Sequence, residues 1–396
     1  TMVNEKNYKK TLRASYLGLV TQAISANFAP LLFLTFKNAY GMTLEKLAMI
    51  PMVFFFTQLV IDLAATKFVD KIGYRICIVA SQILSALGLI LMAILPDVMP
   101  VPFVGILISV VIYAVGSGLI EVLVSPIVEA CPFENKDGMM SMLHSFYCWG
   151  AVGVVLGSTL FFALFGIENW KMLTFIWALV PIYNTFNFMT CPIVRLDEDG
   201  QSMSVGKLLT TPIFWLMIIL MICAGASEVA MFQWASAFAE SAIGVPKAVG
   251  DLAGACLFAT FMGTSRMLYG KYSEKFDLTK AMLVCAVLCA GCYLLAALSK
   301  SAILGIAGCA FCGFTVGIMW PGTIRISSKH CPRGGTAMFA FLALAGDLGA
   351  TVSPTLVGGI SEIAGGNLKT GLLFATFFPI ILIIGLIVLK FSKNKD

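Results

Sequence analysis

The sequence predicts an all-α membrane protein of twelve transmembrane helices, arranged as two six-helix bundles related by pseudo-twofold symmetry. Three observations lead there. The 396 residues are 59% hydrophobic and 12% charged, with a mean hydropathy of +0.93, too apolar for a soluble domain that must cover its surface with charge. The apolar residues fall into runs of about twenty, the length that crosses a hydrocarbon core. One long polar connector divides these runs six and six, and features on either side of it recur about two hundred residues apart.

Bounded by charges or Pro/Gly clusters, the spans in order are 13–36, 46–69, 76–96, 101–130, 139–165, 170–193, 209–240, 248–272, 279–299, 302–327, 335–361 and 370–391. The polar start through Lys10 runs straight into the first span, so no short cleavable apolar segment is expected. Short connections require antiparallel neighbours, and an even number of spans puts both termini on one side. With the termini cytoplasmic, twenty of the 26 basic residues lie inside, and only Lys37, Lys46, Lys171, Lys247, Lys300 and Lys369 lie outside. This positive-inside bias fixes the orientation expected in a plasma membrane, here the inner membrane of a bacterium. The connector from Arg195 to Lys207 reads as a cytoplasmic linker, 194–208, between an N-terminal bundle, 1–193, and a C-terminal bundle, 209–396.

The halves echo each other. Asp70-Lys71 after the second span has a counterpart in Glu274-Lys275 after the eighth. Pro126 in the fourth matches Pro321 in the tenth, and Gly150/Gly153 in the fifth match Gly346/Gly349 in the eleventh. The 36 glycines lie largely within apolar runs, where they suit close helix packing. Most of the twelve cysteines also lie inside spans. Cys309-Ala-Phe-Cys312, with no histidine nearby, reads as packing and not as redox or metal chemistry.

Acids inside spans are the functional signal. Glu121 falls near mid-membrane, where a lone carboxylate costs about 2.5–3.5 kcal/mol on insertion scales, and Ser117, Glu121, Ser125 and Glu129 share one helix face. Glu228 in the seventh span and Asp347 in the eleventh add two more, Asp347 heading a face with Thr351 and Thr355. Gln22 and Asn27 in the first span, Gln233, Trp149, Trp234 and Trp320 complete a candidate lining. Acids and amides hydrogen-bond hydroxyls, and aromatic faces stack on sugar C–H groups, although the same residue types also serve helix packing and interfacial anchoring. Arg266 and Arg325 are placed toward the cytoplasmic ends, which leaves the central spans without a cation for an anionic substrate. His144, the one histidine inside a span, is a candidate proton relay with Glu121 or Glu129, and equally a neutral ring on a backbone carbonyl. Asp62 reads first as part of a cytoplasmic loop contact and second as a proton carrier.

Asp70-Lys71-Ile72-Gly73-Tyr74-Arg75 resembles the cytoplasmic loop signature of the major facilitator superfamily, G-x-x-x-D-R/K-x-G-R/K, with Thr66 where glycine is usual and Tyr74 where a basic residue is common. The resemblance implies the major facilitator fold. It also implies a conformational latch made of Asp70, Lys71, Gly73 and Arg75, with Arg266 and Glu274 at the matching second loop. Gly116-Ser-Gly-Leu-Ile-Glu121, the stretch from His144 to Gly153, and Gly225-Ala-Ser-Glu228 with Trp234 are similar to motifs of the fucose permease and related hexose–proton symporters. There the fourth-helix glutamate is a substrate or proton residue. That family's acid in the first helix has no counterpart here.

The expected function is a secondary active transporter moving a small neutral solute, a sugar, by alternating access and coupled to protons through Glu121, His144, Glu228 or Asp62. Its partners would be solute, proton and lipid bilayer, with no cofactor, metal or nucleic acid, and the protein acting as a monomer. A drug or organic-cation/proton antiporter using the same acids is the alternative. A membrane enzyme or receptor is disfavoured, because the chain shows no metal spacing, nucleophile elbow, phosphate loop or sensor domain.

Overall fold

The computed structural model describes residues 2–196, 202–243, 246, 249 and 252–392. Residues 197–201 of the connector, Lys247 and most of the first turn of the eighth predicted span lie outside the described residues. Among the described residues there is no strand. The chain runs α1 (Met2–Leu31), α2 (Phe33–Tyr40), α3 (Leu44–Ile72), α4 (Tyr74–Val98), α5 (Pro102–Glu129), α6 (Lys136–Phe165) and α7 (Trp170–Thr190). After the connector come α8 (Val205–Leu209), α9 (Pro212–Ile243), α10 (Leu257–Tyr272), α11 (Leu278–Leu298), α12 (Ala302–Val316), α13 (Met319–His330), α14 (Gly335–Ile363), α15 (Leu368–Ala375) and α16 (Phe377–Ser392).

Among the described residues, ten helical stretches, some of them kinked pairs such as Ala302–His330 and Leu368–Ser392, are long and apolar enough to cross a membrane. The other two predicted spans differ for local reasons. In α1, Thr21, Gln22, Ser25 and Asn27 dilute the apolar run. The eighth span is split between a π-helical turn, Leu252–Cys256, and the 16-residue α10.

Helix ends follow from the residues at them. Thr43, Ser204, Asp277 and Ser301 each offer a side-chain oxygen to a backbone N–H of the helix they precede. Gly73 adopts φ +103° between α3 and α4, a region closed to residues with a Cβ, so the signature glycine is required by the turn itself. The break between α12 and α13 has a different cause. Pro321 has no N–H to return to the Gly317 carbonyl four residues earlier, and the ladder parts there.

By internal contacts the chain forms two units. Unit 1 is Thr1–Phe133, Trp149–Ser202 and Gly335–Ala340, and unit 2 is Glu134–Cys148, Met203–Gly334 and Phe341–Asp396. The first three turns of α6 therefore belong with the C-terminal helices, and the first turn of α14 with the N-terminal ones. Unit 1 has an aromatic core in which Phe36 meets Trp170 edge to face at 5.5 Å, with Phe54 against Tyr113. Unit 2 is packed by smaller groups, with Ala230, Ala235, Ala296 and the thiols of Cys289, Cys292, Cys309 and Cys312 around Tyr293. Cys289 and Cys312 sulfurs lie 4.0 Å apart in that core.

Candidate functional site

The motif Gly116-Ser-Gly-Leu-Ile-Glu121 explains itself in three dimensions within unit 1. A Cβ at Gly116 would lie 2.6 Å from the Ser81 carbonyl oxygen on α4, and one at Gly118 would lie 2.9 Å from Ile61 on α3. The two glycines thus let α5 be gripped on both sides. Between them Ser117 donates from Oγ to Gln58 Oε1 at 2.6 Å. One turn further on both helices, carboxylate oxygens of Glu121 and Asp62 lie within 4.8 Å of each other. Gln58–Ser117 and Asp62–Glu121 are successive rungs at i, i+4 on α3 and α5. Asp62 is fully buried and Glu121 half-buried. At an effective dielectric constant near 20, two full charges at that separation would repel by about 3.5 kcal/mol.

Unit 2 treats its acid differently. Glu228, at the middle of α9, accepts from Arg266 Nη2 at 2.7 Å. The sequence placed Arg266 toward the cytoplasmic end with the loop latch. The side chain instead turns inward and is 3% exposed. Its Nε donates to the Gly317 carbonyl at 2.6 Å, the one left over by Pro321, and its Nη1 reaches the His144 carbonyl at 3.2 Å and Cys148 Sγ at 3.3 Å. A buried guanidinium is tolerable only when its donors are used, and here the helix break and the start of α6 supply the acceptors. Asp347 on α14 lies within electrostatic range of Glu228.

The first turns of α6 are held in unit 2 by further polar contacts. Asp137 accepts from Arg325 Nε at 2.8 Å and from Lys329 Nζ at 2.7 Å. Asn135 donates to Ser273 at 2.8 Å, and Ser141 Oγ donates to the Arg266 carbonyl at 2.7 Å. Gly138 permits this approach, since its Cβ would fall 2.6 Å from the Gly270 carbonyl. His144 is buried in this packing.

The loop residues sort unevenly. Arg195, at the head of the connector, donates to the Asp70 carbonyl at 2.6 Å, stands 3.7 Å from its carboxylate and lies over the Tyr74 ring. Tyr74 is buried and its hydroxyl meets Thr336. An arginine from the connector thereby brings positive charge to the place where the signature usually has a basic residue. Arg75 donates to the carbonyls of Phe188 and Met189 and so closes the end of α7. Lys71 and Glu274 are exposed.

Of the proposed lining, Gln22 is buried on α1, Trp149 is half-buried on α6, and Asn27 donates to the Ala23 carbonyl of its own helix. Gln233 is exposed. Trp234 donates from its indole N–H to the Pro354 carbonyl at 3.0 Å, and Trp320 packs over Gly346, so both rings hold α14. The structure thus brings together Asp62 with Glu121, and Glu228 with Arg266. Sequence reasoning missed both pairings. The available signal was that a buried charge demands a partner on another helix.

The sequence matches the family model described as the Major Facilitator Superfamily over residues 15–354 and 244–395. No curated protein matches it. Among solved structures, a form of the E. coli fucose:proton symporter FucP is 18% identical with a TM-score of 0.79, over 96% of this chain and 97% of that one. The proton:xylose symporter XylE bound to 6-bromo-6-deoxy-D-glucose is 10% identical with a TM-score of 0.83, over 96% and 95%. The human organic anion transporter MFSD10 (TETRAN) is 14% identical with a TM-score of 0.73, over 96% and 99%. At these identities the likeness is one of fold.

Proposed function

We propose that this chain, which belongs to the Major Facilitator Superfamily, is a secondary active transporter that moves a small neutral, sugar-like solute by alternating access, with its coupling proton held between Asp62 and Glu121. The single observation that carries this reading is the approach of those two carboxylates in unit 1. Two acids so close, one of them fully buried, cannot both be charged at low cost, so one proton is shared, and wetting of the pair on one side of the membrane would release it. The arrangement supplies a proton site in a chain whose first predicted span, 13–36, has no acid.

A neutral substrate is supported by the charges already committed elsewhere. Arg266 is bound to Glu228, and Arg325 to Asp137, so the two buried arginines of unit 2 each face an acid. An organic anion would need a cation released from such a pair. FucP and XylE are described as proton symporters for fucose and xylose, which adds weight to a sugar-like solute. The halves 1–193 and 209–396, joined by 194–208, are the bodies that alternate, with both termini cytoplasmic and the protein acting as a monomer.

The test is uptake into proteoliposomes under an imposed pH gradient. Glu121→Gln is expected to abolish accumulation against a gradient and to retain downhill exchange, whereas unchanged accumulation refutes the coupling role. A thermal-shift panel of neutral sugars, lipophilic amines and organic anions settles the substrate class, and stabilisation by amines alone would favour the antiporter alternative.

A further inference from the structure

At the start of α11 and the end of α16, within unit 2, lies a cavity of about 260 Å³ lined by Asp277, Thr279, Lys280, Leu283, Leu389 and Lys390. Its two ends differ in chemistry. Lys280 and Lys390 are exposed and cationic, Leu389 is fully buried, and Leu283 is half-buried one turn along α11 from Lys280. Asp277 is the one acid in the lining, and its carboxylate is drawn to the helix, accepting from the Lys280 backbone N–H at 3.1 Å. Beyond the leucines both helices continue as exposed apolar surface, with Val284, Val287 and Leu288 on α11 and Ile384, Ile387 and Val388 on α16.

We infer that this cavity binds the phosphodiester headgroup of an anionic phospholipid of the phosphatidylglycerol type, whose acyl chains lie along those two apolar strips. Two lysines against one aspartate leave the lining with a single net positive charge, matched to the single negative charge of a phosphodiester. Free phosphate, a mixture of monoanion and dianion at neutral pH, would face Asp277 with no use for the leucines. Thr279 adds a hydroxyl and the first turn of α11 its positive end. Basic pockets between membrane helices are suited to anionic headgroups for these reasons, and each lysine near the surface contributes a factor of about five in affinity.

The test uses the full-length protein purified in detergent, with lipid retention read by native mass spectrometry against added phosphatidylglycerol, phosphatidylcholine or inorganic phosphate. The wild-type chain should retain phosphatidylglycerol in preference to phosphatidylcholine. The double variant Lys280→Gln/Lys390→Gln should weaken that retention roughly thirty-fold. Lys271→Gln/Lys275→Gln removes equal charge outside the cavity lining and should leave retention nearly unchanged, and Lys280→Arg/Lys390→Arg, which preserves charge and folding, should keep it within about threefold. Equal loss in both glutamine variants, equal retention of phosphatidylcholine, or a phosphate adduct that replaces the lipid overturns the assignment.

Discussion

The two units carry the same kind of buried carboxylate and neutralise it in opposite ways. In unit 1, Glu121 is set against a second acid, Asp62, their carboxylate oxygens within 4.8 Å of each other. In unit 2, Glu228 is set against Arg266, whose charge is permanent. A carboxylate held by arginine is a fixture, whereas one held by a shared proton is a switch. Under the function proposed above, the second unit's pair serves stability and the first's serves coupling.

The strongest way to break that contrast is at Arg266. Arg266→Met leaves Glu228 buried without its partner and is expected to cost about 3–5 kcal/mol, seen as a large fall in the thermal midpoint in detergent. Glu228→Leu in the same chain should recover most of it, because two apolar side chains can replace a buried ion pair. If the single variant melts like wild type, the pair is not a fixture. Asp62→Asn sharpens the comparison from the other side. Removing one of two facing acids should shift stability by less than about 1 kcal/mol in either direction, yet make uptake insensitive to an imposed pH gradient.

Helix packing separates the units more gently. Gly118→Val should force α3 from α5, costing about 1–3 kcal/mol, and weaken proton-driven uptake by displacing Asp62 from Glu121. Gly349→Ala should cost a similar amount, since its Cβ would fall 2.1 Å from the Ile222 carbonyl. Its sequence counterpart Gly153 has open space around it, and Gly153→Ala should be silent to within about 0.5 kcal/mol in the same melt. The smallest effect belongs to Asp70→Asn. Its partner Arg195 is about as exposed as itself, so under about 1 kcal/mol is expected.

These same residues show what a linear reading can reach. Span length and apolar composition located most helices, because crossing a membrane is a one-dimensional requirement. Glu121, Glu228 and Asp347 were legible as unusual for the same reason. Their partners were not. Asp62 looked like a loop-side acid and Arg266 like an inner-end cation, and nothing along the chain says that α3 meets α5 or that α10 turns its arginine toward α9. The matched glycines likewise looked equivalent at Gly153 and Gly349, and only the approach of Ile222 distinguishes them.

The kink at Gly317 and Pro321 has a bearing on how unit 2 could ever be remodelled. A straight version of α12–α13, made by replacing Pro321 with a residue that can donate, would return a backbone N–H to the Gly317 carbonyl and set it in competition with the Arg266 Nε for that acceptor. Regularising the helix would therefore unsettle an ion pair on two other helices, and a proline that reads as a local defect is a support for charge held elsewhere in the bundle.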